Sequence, residues 1–476
     1  MNQIQTIFKN MSWLLISQII ASICGFIWTI LIARYLGVNN YGILAFAISF
    51  TGLLAITVDY GIGTHIVRQV ATDYSSAPKY LGNAIPLKGI FSIGTMILSL
   101  IILILMKCNE ITITITLLFV IEMIIKSLIA LLHGTFQAFE EGKYQGIANT
   151  ILNLILLIFI VIVIFTDLGL YGITFSYILA NLIALFYSYY ALKKHVVSPK
   201  YEFDISFCKK ITLLSLPFAV TALLYSVYYS IDVVMLKTLV GDYAAGIYNA
   251  SYKIISVLTL FYGVYTAVIF PVMSKFFKND KQLLVISYEK SIRYLMLLVI
   301  PLAIATMFYS EDIIQLICGP EFKPAGPVLS ILIWTVCLLF ISGASNTLLN
   351  ATHRELTVTK IYTIAALFNV ILNFIMIPKY SYTGAAITTV LSDILIVVIQ
   401  TYVIYRLGHR PNKQLYFDLM KIIISSLILG FALYCLNLNM WLAIPVGIII
   451  YFVILIILKF FDDGDKHVMK EIFKRN

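Results

Sequence analysis

Residues 147–192 read IANTILNLILLIFIVIVIFTDLGLYGITFSYILANLIALFYSYYAL. Two apolar runs, 147–166 and 170–192, are parted by a short turn. Each run is about 20 residues long, the length an α-helix needs to cross a hydrocarbon layer about 30 Å thick. The pattern recurs outward in both directions, at 11–33, 42–60, 84–106, 111–133, 210–236, 246–273, 290–309, 324–348, 357–377, 383–405, 416–437 and 440–461. The chain therefore reads as an all-α polytopic membrane protein with about 14 transmembrane helices. Composition agrees: of 476 residues 61% are hydrophobic and 12% charged, with a mean hydropathy of +0.96. A soluble domain of that size would need a larger charged surface. The first run follows Lys9 and shows no small-residue cleavage site, so it reads as a membrane helix and not a signal peptide. Connections are short, none above about 25 residues by this reading, the longest lying near 60–83.

The basic residues divide unevenly between the two sides. One side holds Arg68, Lys79, the groups 193–210 and 275–293, Arg354, Lys360, Arg406, Arg410, Lys413 and the tail lysines 466, 470 and 474. The other holds only Arg34, Lys107, Lys237, Lys323 and Lys379. The asymmetry places the first side, with both termini, in the cytoplasm of a cell membrane. The net charge of +10 then follows from topology and anionic lipid, and calls for no nucleic-acid partner. Six scattered cysteines form no C-x-x-C pair; Cys108 and Cys318 share the outer side, but sequence does not establish a bridge.

The chain also repeats itself. LGVNNYGILAFAISF follows the first helix and LVGDYAAGIYNASYK the seventh, so Gly37 and Gly42 match Gly241 and Gly246 at an offset of 204. Gly169-Leu-Tyr-Gly172 opens helix six and Ser381-Tyr-Thr-Gly384 opens helix twelve, at an offset of 212. Each follows a helix bearing asparagines one turn apart, Asn149/Asn153 and Asn369/Asn373. A duplicated six-helix unit is expected. Six being even, the halves run parallel about an axis along the membrane normal, with substrate bound between them. The divisions are 1–192, a linker at 193–209, 210–405, and 406–476 for the last two helices and tail.

No phosphate-loop, H-E-x-x-H or G-x-S-x-G motif is present, so the sequence offers no built-in ATPase, metallopeptidase or serine hydrolase, and no metal or cofactor is expected. Charges inside apolar runs are more informative, because each costs about 2.5–3.5 kcal/mol at a helix centre. Glu122 and Lys126 lie one turn apart on one face, either a self-neutralised structural pair or a coupling element. Asp232 and Lys253 sit on consecutive helices, where a cross-helix pair is plausible, and Asp393 has no local partner and must face protein or a wet cavity. Tyr225, Tyr228, Tyr229 and Asp232 form a stripe at helical spacing, read as ordinary packing or as a cavity wall on which sugar rings stack. Pro217 in the same helix frees a carbonyl and bends the chain. Arg34 ends helix one and Asp59 helix two, with His65 and Arg68 just beyond. An arginine there serves either as a two-pronged phosphate partner or as an interfacial anchor.

The run Ala33-Arg34-Tyr35-Leu36-Gly37, Tyr41-Gly42 and Asp59-Tyr60-Gly61 resembles the start of polysaccharide-export flippases of the O-antigen/teichoic-acid type. Ordered matches continue through Leu216-Pro217, Asp232, Gly246-Ile-Tyr248, Pro271-Val-Met-Ser274-Lys275, Glu321-Phe322, Asn369/Asn373, Ile377-Pro378-Lys379 and Gly384-Ala-Ala, over most of the chain. The resemblance implies the multidrug/oligosaccharidyl-lipid/polysaccharide exporter fold: two six-helix lobes around a central cavity, plus two helices here. It implies movement of a polyprenyl-diphosphate-linked oligosaccharide between leaflets, with Arg34, Arg68 and Lys253 as candidates for the anionic head group. Asp59 and Asp232 match recurrent acidic positions; Tyr60 stands where family patterns often have Leu. Tyr225 and Tyr229 join the substrate candidates, and Asp232, Asp393, Glu122 and Lys126 are read as coupling or gating residues, with H⁺ or Na⁺ as the ion. Competing readings are a cation-coupled multidrug exporter of the same fold and a membrane glycan polymerase. The polymerase lacks a sizeable outer loop, since 310–323 is short.

Overall fold

A chain this apolar satisfies its backbone hydrogen bonds internally, and in lipid the helix does so within one segment. The computed structural model describes residues 3–200 and 202–461. They form α1 (Gln3–Asp59), α2 (Ile62–Thr72), α3 (Ala77–Leu105), α4 (Glu110–Ala138), α5 (Gly142–Thr166), α6 (Gly169–His195) and α7 (Ile205–Leu239). There follow α8 (Asp242–Asn279), α9 (Lys281–Phe308), α10 (Ser310–Cys318), α11 (Ala325–Ala351), α12 (Glu355–Arg406), α13 (Lys413–Leu436) and α14 (Met440–Ile457). No strand occurs among the described residues. The tail cations beyond 461 lie outside them.

Twelve of these helices are long and apolar enough to cross a membrane, making this a multi-pass membrane protein. Two of the twelve are too long for one crossing. At 57 and 52 residues, α1 and α12 would each reach about 80 Å if straight, more than twice the hydrocarbon thickness. Each breaks where the sequence leaves a gap between spans: α1 at Gly37 (φ 68°, ψ 176°) and α12 at Ser381 (φ 52°, ψ −137°). The broken helices are compatible with fourteen crossings. Most helices also run past the sequence-derived spans at their basic ends; α9 starts at Lys281 and not near 290. The 60–83 connection is no loop, because α2 and a 3-10 turn at Tyr74–Ser76 fill it.

The matched repeat positions share a positive φ. Gly37 and Gly241 both have positive φ (68° and 131°), as do Gly169 and Ser381 (62° and 52°). Ser381 thus holds, with a side chain, a conformation its counterpart holds as glycine. Such strain costs about 1–3 kcal/mol, and a glycine's extra unfolded-state freedom takes back about 0.4–1 kcal/mol. Ser381→Gly is therefore expected to stabilise the protein by about 1 kcal/mol, read as a raised unfolding midpoint in mixed micelles. An unchanged or lowered midpoint would refute stored strain at this break.

Packing divides the chain into two compact units, 1–249 and 250–476, so the division falls inside α8, beyond the 193–209 linker that the repeat suggests. In the first unit α1 packs along α5, α4 and α7, and α6 against α5 and α4. The Tyr35 hydroxyl ties the end of α1's first half to the α5–α6 turn, donating to Asp167 Oδ1 and accepting from the Gly169 N–H, each at 2.8 Å. Where α8 begins it crosses the second half of α1 without intervening side chains. A Cβ built on Gly42 would lie 1.9 Å from the Asp242 carbonyl oxygen, and one on Gly246 2.3 Å from that of Val38. Close helix approach through small residues is how membrane helices gain contact when lipid supplies no hydrophobic drive.

In the second unit α11 lies against α9 and α12, and α13 against α9 and α14. Residues 342–349 of α11, SGASNTLL, are all buried, again a small and polar seam. Arg293, counted among the interfacial cations by sequence, lies in the interior of α9. Its guanidinium pairs with Asp418 of α13 at 2.9 Å, donates to the Phe460 carbonyl at 2.7 Å and covers the Phe460 ring at 4.5 Å. Both charged groups are nearly excluded from solvent, so the last two helices are fastened to α9 by a buried ion pair. All six cysteines are free thiols.

Candidate functional site

In the first unit the acidic end of α1 is built around a lysine that sequence reading passed over. Tyr60 and Gly61 both take left-handed backbone (φ 47° and 71°), ending α1 just after Asp59 and starting α2. The α2 residues Ile62, His65, Ile66 and Val70 are buried, at the spacing of one helical face. Arg68 is exposed on the other face. Burial, and secondarily the Arg68 charge, holds the His65 imidazole below its ordinary range, so the ring is neutral near pH 7.

Asp59 meets neither Arg34 nor Arg68 in an ion pair; its partner is Lys88 of α3. The Lys88 side chain is fully buried, whereas a third of Asp59's remains open. The ammonium also donates to the Ser127 hydroxyl at 2.7 Å and to the Ser127 carbonyl at 3.1 Å on α4. An ammonium has three protons, and all three find acceptors here, on α1 and α4. The signal in the sequence was one lysine two residues after Pro86 in an otherwise apolar run.

Glu122 and Lys126 do come together, at 2.7 Å, with Glu122 buried and Lys126 more than half open. Asn181 of α6 donates to the same carboxylate at 2.9 Å. Tyr177, packed against Trp28 and Phe119, lies beside it.

On α7, Asp232 is buried and accepts from the Tyr248 hydroxyl of α8 at 2.8 Å. The tyrosine stripe splits. Tyr228 turns into the packing, while Tyr225 and Tyr229 remain accessible with ring centroids 4.5 Å apart. Arg34 is exposed three residues before the Gly37 break.

In the second unit Lys253 is half-buried on α8 and Asp393 half-buried on α12. Asp393 lies beside Tyr362, whose hydroxyl accepts from Asn346 at 2.8 Å, and Gln400 donates to that Asn346 at 2.7 Å. A polar chain thus joins α11 to both halves of α12. Asn369 and Asn373 are both buried and hydrogen-bonded to each other at 3.0 Å.

The family model described as polysaccharide biosynthesis protein matches residues 7–277, more than half of the chain. The chain belongs to that family. The matched stretch holds Arg34, Asp59, Arg68, Lys88, Glu122, Lys126, Tyr225, Tyr229, Asp232 and Lys253; Asp393 lies beyond it. A second model, MatE, matches residues 217–375. Among family relatives, the capsular polysaccharide biosynthesis protein CapF of Staphylococcus aureus is 25% identical over 406 residues, covering 84% of this chain and 99% of its own. The probable low-salt glycan biosynthesis flippase Agl15 of Haloferax volcanii is 23% identical over 437 residues, 88% of each chain. Among solved structures, the lipid II flippase MurJ in its inward closed conformation superposes with a TM-score of 0.78 at 18% identity, covering 92% of this chain and 97% of that one. An inward-facing multidrug resistance MATE family transporter gives 0.65 at 13% identity, over 82% and 95%. The fold is thus that of the MurJ and MATE structures.

Proposed function

We propose that this protein is a flippase that carries a polyprenyl-diphosphate-linked oligosaccharide from the inner to the outer leaflet of the cytoplasmic membrane, without ATP hydrolysis and without catalysing a covalent step. The observation that carries the reading is the family match over 7–277, together with relatives named for capsule synthesis and glycan flipping. The physical chemistry is consistent. A diphosphate bearing sugars cannot cross hydrocarbon unaided, but its prenyl tail never leaves it. The protein need supply only a polar, cationic path for the head, for which Arg34, Arg68 and Lys253 are our candidates, with Tyr225 and Tyr229 offering an accessible aromatic face to sugar rings. A cytoplasm-negative potential drives an anion outward by about 2.3 kcal/mol per charge per 100 mV. Asp232, Asp393 and the Glu122–Lys126 pair are the groups we assign to H⁺ or Na⁺ coupling. The lysine and arginine asymmetry supports a cytoplasmic location for both termini.

The test is the sidedness of lipid-linked oligosaccharide in cells with and without the gene, read by an impermeant glycosidase. Protected, inward-facing glycolipid is expected to accumulate in the deletant. Arg34→Ala and Lys253→Ala are each expected to cut flipping about tenfold, the loss of one charge-assisted contact, at normal protein levels. Undiminished flipping in the double variant would sink the cationic path. Accumulation of outward-facing units would transfer the protein to a polymerase role. The MatE match over 217–375 and the MATE superposition favour one second reading, cation-coupled drug export. It would show as drug sensitivity in a deletant with normal glycolipid.

A further inference from the structure

The second unit has a cavity of about 810 Å³ where three helices begin. Its wall includes Lys281 and Gln282 from the first turn of α9, Arg354 at the N-cap of α12, and His409, Arg410 and Asn412 from the connection into α13. Helix N-termini carry a partial positive charge, and here three of them meet three full cations. Two carboxylates stand close to these cations, Glu289 in the wall itself and Glu355 in the first turn of α12. Asp280 caps the α9 amides of Gln282 and Leu283 at 2.8 and 3.1 Å, and Glu289 accepts the Asn412 backbone N–H. Among the described residues, no carboxylate lies within ion-pair distance of Lys281, Arg354 or Arg410. Arg410 rests on the Tyr405 ring at 4.2 Å. The N-terminus of α12 has no side-chain cap, which leaves its first amides to an outside acceptor.

His409 points the same way. It is nine-tenths buried, it lines the cavity, and its ring has no hydrogen-bond partner among the described residues. Burial and the neighbouring Lys281 depress its pKa, so it supplies an N–H donor and no charge. The cavity lies at the ends of membrane-crossing helices, the level at which lipid head groups sit. An extended nucleic acid or a flat acidic surface would not fill a concave space fed by three helix starts, whereas a tetrahedral phosphate with several acceptor oxygens would.

We infer that this cavity is a phosphate-binding site, lying wholly within the second unit and taking a phosphate ester or diphosphate on Arg354, Arg410 and Lys281. The phosphate is that of an anionic phospholipid head group or of a soluble phosphate compound. The inference does not rest on the flipping reading, and its test uses no transport assay.

The whole protein is reconstituted into phosphatidylcholine nanodiscs and titrated with inorganic pyrophosphate by calorimetry. A parallel set of nanodiscs contains phosphatidylglycerol, whose retention on the protein is read by native mass spectrometry. Arg354→Gln with Arg410→Gln is expected to weaken binding about tenfold or more, through loss of two charge-assisted contacts. Lys281→Gln is expected to weaken it less, and Lys209→Gln with Lys210→Gln, at exposed positions elsewhere, to leave it unchanged. Arginine-dependent pyrophosphate binding identifies a soluble source; arginine-dependent retention of phosphatidylglycerol alone identifies a head group. Binding of neither probe overturns the site. So does equal binding in wild type and in a double variant with an unchanged melting curve, or capture of a polyglutamate peptide in preference to both. Should the double variant melt early, Lys281→Gln and the lysine replacements Arg354→Lys and Arg410→Lys decide the matter by the same readouts.

Discussion

Asp59→Ala is expected to lower the unfolding free energy by about 3–5 kcal/mol, the cost of leaving a buried charge without its counter-ion. The reason lies in Lys88, whose side chain is fully excluded from solvent. With the carboxylate gone, only the Ser127 hydroxyl and carbonyl remain to it, and neither offsets a full charge in a low-dielectric setting. The reverse change is milder. Lys88→Met leaves a carboxylate that is already one-third open and can hydrate, so about 1–3 kcal/mol is expected, the range for a group left unsatisfied. Asp59→Ala with Lys88→Met removes both charges, so its cost should fall short of the sum of the two single effects by about 3 kcal/mol in a double-mutant cycle. Equilibrium unfolding in mixed micelles gives all four corners of that cycle. Equal single effects, or strictly additive ones, would show that the pair is not the fastening described above. The prediction also separates two roles for Asp59: a counter-ion loses folded protein when it is removed, whereas a substrate contact loses transport alone.

Gly246→Ala is expected to destabilise the protein by about 2 kcal/mol or more, although alanine is the better helix former by about 1 kcal/mol. The added methyl would stand 2.3 Å from the Val38 carbonyl oxygen. That atom is backbone and cannot swing aside as a side-chain end would. Either α8 backs away from α1 and loses contact along the crossing, or the α1 turn distorts. The matched control is Gly263→Ala on the same helix, where a Cβ would meet nothing within 4 Å. There propensity acts alone, and a gain of about 1 kcal/mol is expected. Thermal melts of the two variants beside wild type should move in opposite directions. If both rise, the crossing is looser than described and the prediction is wrong.

Much of the architecture was legible because lipid imposes so few solutions. Runs of about twenty apolar residues have to be helices, and the breaks in α1 and α12 fall where Gly37 and the Ser381 segment interrupt those runs. The Glu122–Lys126 pair was also legible, since four residues along one helix fix a distance before any tertiary structure exists. Pairs between helices were not. Nothing local links Asp59 to Lys88, or Arg293 to Asp418, and only the packing of α1, α3 and α4, or of α9 and α13, brings them together. Lys88 and Arg293 lie in the half of each helix that starts from its basic end, and a lysine or arginine on that side ordinarily reads as an interfacial anchor. The short α2 was missed for a different reason: its buried face is three apolar residues and a histidine in an eleven-residue helix, too brief for a search tuned to membrane spans.

The crossing at Gly42 and Gly246 carries an implication about ancestry. Gly42 approaches the carbonyl of Asp242, and Gly246 that of Val38; since Val38 matches Asp242 and Gly42 matches Gly246 at the 204-residue offset, exchanging the two copies leaves the contact unchanged. That reciprocity defines an isologous interface, the kind two identical subunits form about a two-fold axis. A half-length progenitor carrying a single such glycine would have met its own twin at this point, one codon serving both sides. Fusion into a single chain would let the two glycines mutate independently while leaving both bound by the same steric rule.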